Sequence, residues 1–122
     1  MIVSAGIVRM AVLGASTWIY CGLGTGTTTS DIGDIDLESI VGNRKLFQSA
    51  TASLFTSYFK TIFAKADSVS ASNITEIAIF DSSVAGAGNT CFRTVASTNT
   101  WTAFLKSSSV VSTISTQLAF ST

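Results

Sequence analysis

Over residues 110–120 the chain alternates with a period of two. Val110, Ser112, Ile114, Thr116, Leu118 and Phe120 fall on one side, and Val111, Thr113, Ser115, Gln117 and Ala119 on the other. Only an extended strand sends successive side chains to opposite faces, so this stretch commits the chain to at least one β-sheet. Trp101, Ala103 and Leu105 alternate in the same way with Thr102, Phe104 and Lys106. A turn over residues 106–109 is therefore expected between two pairing strands.

Other segments share this character. Residues 74–80 form an expected strand in which Ile77 and Ile79 share a face. Residues 90–95 return as its hairpin partner after a Gly/Ala/Ser-rich tip at 81–89. Residues 17–21 are aromatic and β-branched, and Gly22, Gly24 and Gly26 are expected to end that strand. Residues 44–64 read as two strands or one long bent one. Phe55, Ser57, Phe59, Thr61 and Phe63 alternate there with Leu54, Tyr58 and Ile62. A strand apolar on both faces needs cover on both, from the domain's own layers or from a neighbouring subunit. Residues 5–13 allow a short helix stopped by Gly14, or an arm, and the polar residues 27–36 belong on the surface. The expectation is an all-β fold, an antiparallel β-sandwich of jelly-roll type. It would be one domain over 1–122, with residues 1–15 as a short N-terminal helix or arm.

Composition supports this. Hydrophobic residues make up 47% and charged residues only 11%, against roughly 25% charged in ordinary soluble proteins, so Ser, Thr and Gly must cover the surface. Seven basic and seven acidic residues cancel, which leaves no electrostatic footprint for nucleic acid or an anionic membrane. A chain with so few charges and no net charge tends to associate, so a homo-oligomer is expected, with a trimer favoured. Arg9, Gly14 and Ser16 interrupt the most apolar stretch, so no membrane span is expected. A basic region ahead of that stretch is also missing, and the N-terminus reads as part of the mature fold. There is no proline to guard strand edges, so protection by pairing with other subunits is expected.

The residues offer little chemistry. Without histidine, imidazole acid–base work and Ser-His or Cys-His pairs are impossible. Asp31, Asp34, Asp36 and Glu38 follow one another closely, but without the ligand order or terminal glutamate of a calcium loop. Gly22, Gly24 and Gly26 lack the lysine and helix of a phosphate loop, and read as structural glycines that allow positive φ or a close approach of another backbone. Asn73, Ile74 and Thr75 match the glycosylation triplet, a pattern common by chance in a Thr-rich chain. Cys21 and Cys91 lie in separate expected strands among apolar neighbours and are expected to be buried free thiols. No catalytic, cofactor or metal residue is assigned, and the chain is expected not to be an enzyme.

Five stretches then follow in order: Gly24-Thr-Gly-Thr27, Asp34-Ile-Asp-Leu-Glu38, Ile74-Thr-Glu-Ile-Ala-Ile-Phe-Asp81, Gly86-Ala-Gly-Asn-Thr-Cys-Phe-Arg-Thr-Val95 and the alternating 110–120. This order resembles a family of small tailed-virus structural proteins, from phage or archaeal viruses, found as capsid decoration proteins and as tail-fibre or appendage domains. Ala78 stands where that family tends to have glycine. The resemblance implies a virion role, on the outer surface of the capsid or on the tail. Decoration (cement) of the capsid is the favoured expectation, with the major capsid protein and other virion proteins as partners. The alternative is a tail-fibre or appendage subunit that binds a receptor or glycan through Trp18, Tyr20, Tyr58 or Trp101. For subunit contact the candidates are Ile2, Val3, Ile7, Val8, Met10 and Val12 in the N-terminal segment, and Leu54, Phe55, Tyr58, Phe59 and Phe63 in the doubly apolar strand.

Overall fold

The computed structural model describes residues 3–67, 71–84, 90–98 and 101–120. It is mostly β, with one N-terminal helix and three separate antiparallel sheets. Helix α1 (Ser4–Thr17) precedes β1 (Tyr20–Gly24), β2 (Ile40–Leu46), β3 (Ser49–Ser53) and β4 (Thr56–Phe63). Then come β5 (Ser72–Ile74), β6 (Glu76–Phe80), β7 (Thr90–Val95), β8 (Phe104–Lys106) and β9 (Ser112–Ala119). The largest sheet runs β2-β1-β6-β7, the second β3-β4-β9, and β5 pairs with β8 alone.

The strand readings at β6 and β9 hold, and β7 is the hairpin partner of β6. Ile77 and Ile79 do share a face, opposite Leu23 and Cys21 of β1. That face meets Phe59 and Phe63 of β4, Ile114 of β9, and Phe47 and Ile74 in one apolar core. Cys21 is a free thiol inside this core, and burial pushes its pKa up to about 12, so it is neutral and poorly nucleophilic. The expectation for the Cys91 side chain lies outside the described residues.

Several expectations need correction. The helix does not stop at Gly14 but passes through it to Thr17. Its buried residues are Ile7, Ala11, Gly14 and Ala15, a stripe at helical spacing in which the three after Ile7 are small. They let α1 lie close on β3 and β4, where Ser57 Oγ donates to the Ala11 carbonyl at 2.6 Å. Residues 4–17 are thus a helix packed on the fold, and not a free arm.

Gly22 lies inside β1, which ends at Gly24 as the glycine cluster implies, but neither has a positive φ. What they supply is close approach, as described below. Residues 44–64 hold the end of β2 and a hairpin, β3–β4, whose turn is Leu54 and Phe55. Leu54 takes φ 52°, the left-handed region. The strand expected over 74–80 breaks at Thr75, because β5 leaves to pair with β8 while β6 stays between β1 and β7. Accordingly β8 is not the partner of β9. β9 instead pairs with β4 along all eight residues, Thr56 opposite Ala119 through Phe63 opposite Ser112.

Candidate functional site

On the face of β1 and β6 turned away from the main core, Tyr20, Gly22 and Gly24 stand opposite Phe80, Ala78 and Glu76. The segment between β1 and β2 crosses this face, burying Leu37 against Ala78 and Phe80. Two arginines hold it there. Arg93 of β7 donates from Nε to Glu76 Oε2 (2.8 Å), from one terminal nitrogen to Asp34 (2.9 Å) and from the other to the Thr28 carbonyl (3.0 Å). Arg44 of β2 lies 3.4 Å from the Phe80 ring centroid and donates to Asp36 and to the Ser82 and Val84 carbonyls.

Glu76 is fully buried, and its carboxylate also accepts the backbone N–H groups of Glu38 (3.1 Å) and Ser39 (2.8 Å). A buried carboxylate is tolerated only when its oxygens are met in this way. Glycine makes the room. A Cβ on Gly24 would run into the Glu76 carboxylate and lie 2.7 Å from the Ser39 carbonyl, and one on Gly26 would lie 2.7 Å from Glu76 Oε2. Burial works against the charge on Arg93, but Glu76 and Asp34 outweigh it and raise its pKa. The Asp31 backbone N–H, followed by Arg93, holds the Asp34 carboxyl below its ordinary range despite some desolvation.

Every charged group here is committed to another. Asp31, Asp34, Asp36 and Glu38, the closely spaced carboxylates, are engaged by the Gly33 N–H, by Arg93, by Arg44 and by the Thr27 N–H respectively. No group of three or more Cys, Asp or Glu among the described residues is set to hold a metal ion. A cleft of about 570 Å³ opens beside β2, but its Lys45 is already bound by Asp67 at 2.9 Å. The arrangement holds the segment between β1 and β2 against the sheet.

The second feature is apolar. Met10 and Leu13 project from one flank of α1, and with Gly14, Thr17, Trp18 and Phe120 they line a groove of about 220 Å³. Trp18 stacks on Phe120 with ring centroids 6.1 Å apart, and the Phe120 N–H donates to the Phe55 carbonyl, which brings the β3–β4 turn to the same end. Of the expected contact residues, Val3, Met10, Val12, Leu54, Phe55 and Tyr58 are exposed, and Val8 is half-buried. Ile7, Phe59 and Phe63 are consumed by the chain's own packing and have no surface to offer, which corrects their assignment. Ile2 lies outside the described residues.

Sequence reasoning missed Leu13 and Phe120 as parts of this surface. Leu13, three residues after Met10, carried the signal. Of the aromatic residues considered for stacking on a glycan, only Tyr58 is exposed. Trp18 lies on Phe120, Tyr20 packs on the loop cluster, and Trp101 donates its indole N–H to Thr94.

Searches against protein-family models, curated proteins and solved structures find no match for this chain. No helix among the described residues is long and apolar enough to cross a membrane.

Proposed function

We propose that this chain is a non-enzymatic, self-associating structural subunit of a tailed-virus particle, a capsid decoration protein whose sheets close as a jelly-roll-like sandwich. The observation that carries the reading is the apolar end of the molecule, where Met10 and Leu13 flank the Trp18–Phe120 stack beside the Leu54–Phe55 turn. Leu54 is 71% exposed and holds a backbone conformation that costs a branched residue about 1–2 kcal/mol. An apolar side chain kept at such a position suits contact with another subunit better than contact with water. The virion assignment rests on the family resemblance. Of its stretches, the described residues of four lie in or beside the Glu76–Arg93 network, and the fifth holds β9. They describe a scaffold for assembly, in homo-oligomers and on the major capsid protein.

The test is co-sedimentation with capsids assembled from the major capsid protein of the virus that the reading implies, together with light scattering of the free protein. Binding to capsids that is lost in a Met10→Ser, Leu13→Ser double variant supports the reading. A protein that stays monomeric at high concentration and ignores capsids overturns it.

A second reading, a glycan-binding tail appendage, draws on Tyr58. It stands on the outward face of β4 in a shallow pocket with Ser49, Thr51, Lys60, Ser115 and Gln117. Glycan-array binding lost in Tyr58→Ala would favour it.

A further inference from the structure

Four strands border the two larger sheets, and they differ in how their free edges are treated. At β2 the edge is charged by Arg44 and Lys45 and covered by the 3₁₀ turn Lys65–Asp67. The turn lies so close that a Cβ on Gly42 would sit 2.6 Å from the Asp67 carbonyl. At β7 the edge is covered too, since the Arg93 carbonyl already accepts from Ser30 Oγ at 3.0 Å. Strand β3 has only five residues and lies against α1. β9 is different: eight residues, all uncharged, with no proline and no bulge along its pairing to β4. Among the described residues nothing pairs with its other side. Folded proteins guard such edges with charge, proline, a bulge or a cover, and an unguarded one presents a row of free N–H and C=O groups to another strand.

A second observation lies on the same strand. Thr116 Oγ1 is buried without a hydrogen-bond partner, and a hydroxyl removed from water and left unpaired is costly.

We propose that β9 joins two copies of this chain, antiparallel and centred on Thr116, so that β3-β4-β9 of one copy continues into β9-β4-β3 of the other. This deepens the self-association reading and rests on it. The centre is chosen by chemistry. A two-fold pairing about Thr116 sets the two Thr116 side chains opposite each other, where rotation about χ1 lets each hydroxyl bond the other. The same register places Ile114 opposite Leu118 on the core side, and Thr113 opposite Ala119 and Ser115 opposite Gln117 on the outward side. An isologous contact repeats every residue, so a charge near its centre would face its own kind; β9 has none. The occupant is a second copy because each orphaned Thr116 hydroxyl is answered by its own counterpart.

Thr113 and Ala119 are exposed and stand opposite the uncharged Ile62 and Thr56 within the fold, so charges there burden the contact and not the domain. Two double variants, Thr113→Lys with Ala119→Lys and Thr113→Glu with Ala119→Glu, are compared with the parent by light scattering. Circular dichroism checks that each retains its β signal. Either variant alone is expected to halve the molar mass, and a 1:1 mixture to restore it. Amide hydrogen exchange of the parent is expected to show protection at successive β9 residues, where an unpaired edge protects only alternate ones. An oligomer that survives both variants, with alternate β9 amides exchanging fast, overturns this contact and leaves self-association standing. A parent that is monomeric at all concentrations overturns both.

Discussion

Glu76 and Arg93 sit diagonally across the β6–β7 pair, with Arg93 opposite Ala78 and Glu76 opposite Val95, and the guanidinium reaches back to the carboxylate at 2.8 Å. Both side chains are almost wholly removed from water. The pair therefore acts as an anchor, with the carboxylate receiving two backbone N–H groups from one end of the loop and the guanidinium binding Thr28 and Asp34 further along it.

Replacing Glu76 by Gln leaves Arg93 with half its compensation and turns an amide N–H₂ toward groups that donate. Removing one partner of a buried pair typically costs 3–5 kcal/mol, and because Asp34 remains, a loss of about 3 kcal/mol is expected. Urea unfolding followed by circular dichroism measures it. A midpoint unchanged from the parent would mean that the loop is held by its apolar contacts alone.

Acid should unfold the protein through Asp34 and Asp67. Asp34 is lowered by the Asp31 N–H and then Arg93, and Asp67 by Lys45 and then the Ala64 N–H. Both bind protons less readily folded than unfolded. Their contribution is thus complete above the unfolded carboxyl value of about 4 and is lost as pH falls through the folded values below it. Thermal midpoints are expected to be level from neutral pH to about 5 and to fall below about 4. In Asp67→Asn the fall should be shallower and the neutral-pH midpoint lower.

Gly24 is expected to tolerate no side chain. In Gly24→Ala the new methyl meets the Glu76 carboxylate and the Ser39 carbonyl, and overpacking of this kind costs about 1–3 kcal/mol. Gly33→Ala is the control, since Gly33 is exposed and its nearest neighbour is Asp31 Oδ1 at 3.2 Å. Its unfolding midpoint should stay within about 0.5 kcal/mol of the parent.

Leu54→Asn should stabilise the isolated fold by up to about 1 kcal/mol, because Asn accepts the left-handed region that Leu resists. The same change should weaken association if Leu54 is a contact residue. Measuring melting temperature and molar mass on one sample separates the two effects, and a lower melting temperature would contradict the strain argument.

How much of this could be read from the residues varied with the range of the interaction. β6 and β9 are legible because alternation is local and strong, and β7 as the return strand of a hairpin. The helix end was misread because Gly14 serves contact with Ser57 and Trp18, distant in the chain or beyond the turn, and not local geometry. The break at Thr75 is equally invisible: its N–H goes to the Gly24 carbonyl and its hydroxyl to that of Gly26. Glu76 and Arg93 stood out as parts of a pattern, but their ion pair depends on a register that no local signal carries. At the apolar end, Met10 was legible from its segment, whereas Phe120 joined it only through the β4–β9 pairing.

That pairing also has a consequence for synthesis. β4 cannot gain its second neighbour until β9 is made, on the order of 50 residues later, or about 3–10 s at ~5–20 residues per second. During that interval Phe59 and Phe63 lack part of their final cover, and a ribosome-bound chain halted before Ser112 should recruit a chaperone that the finished chain does not need.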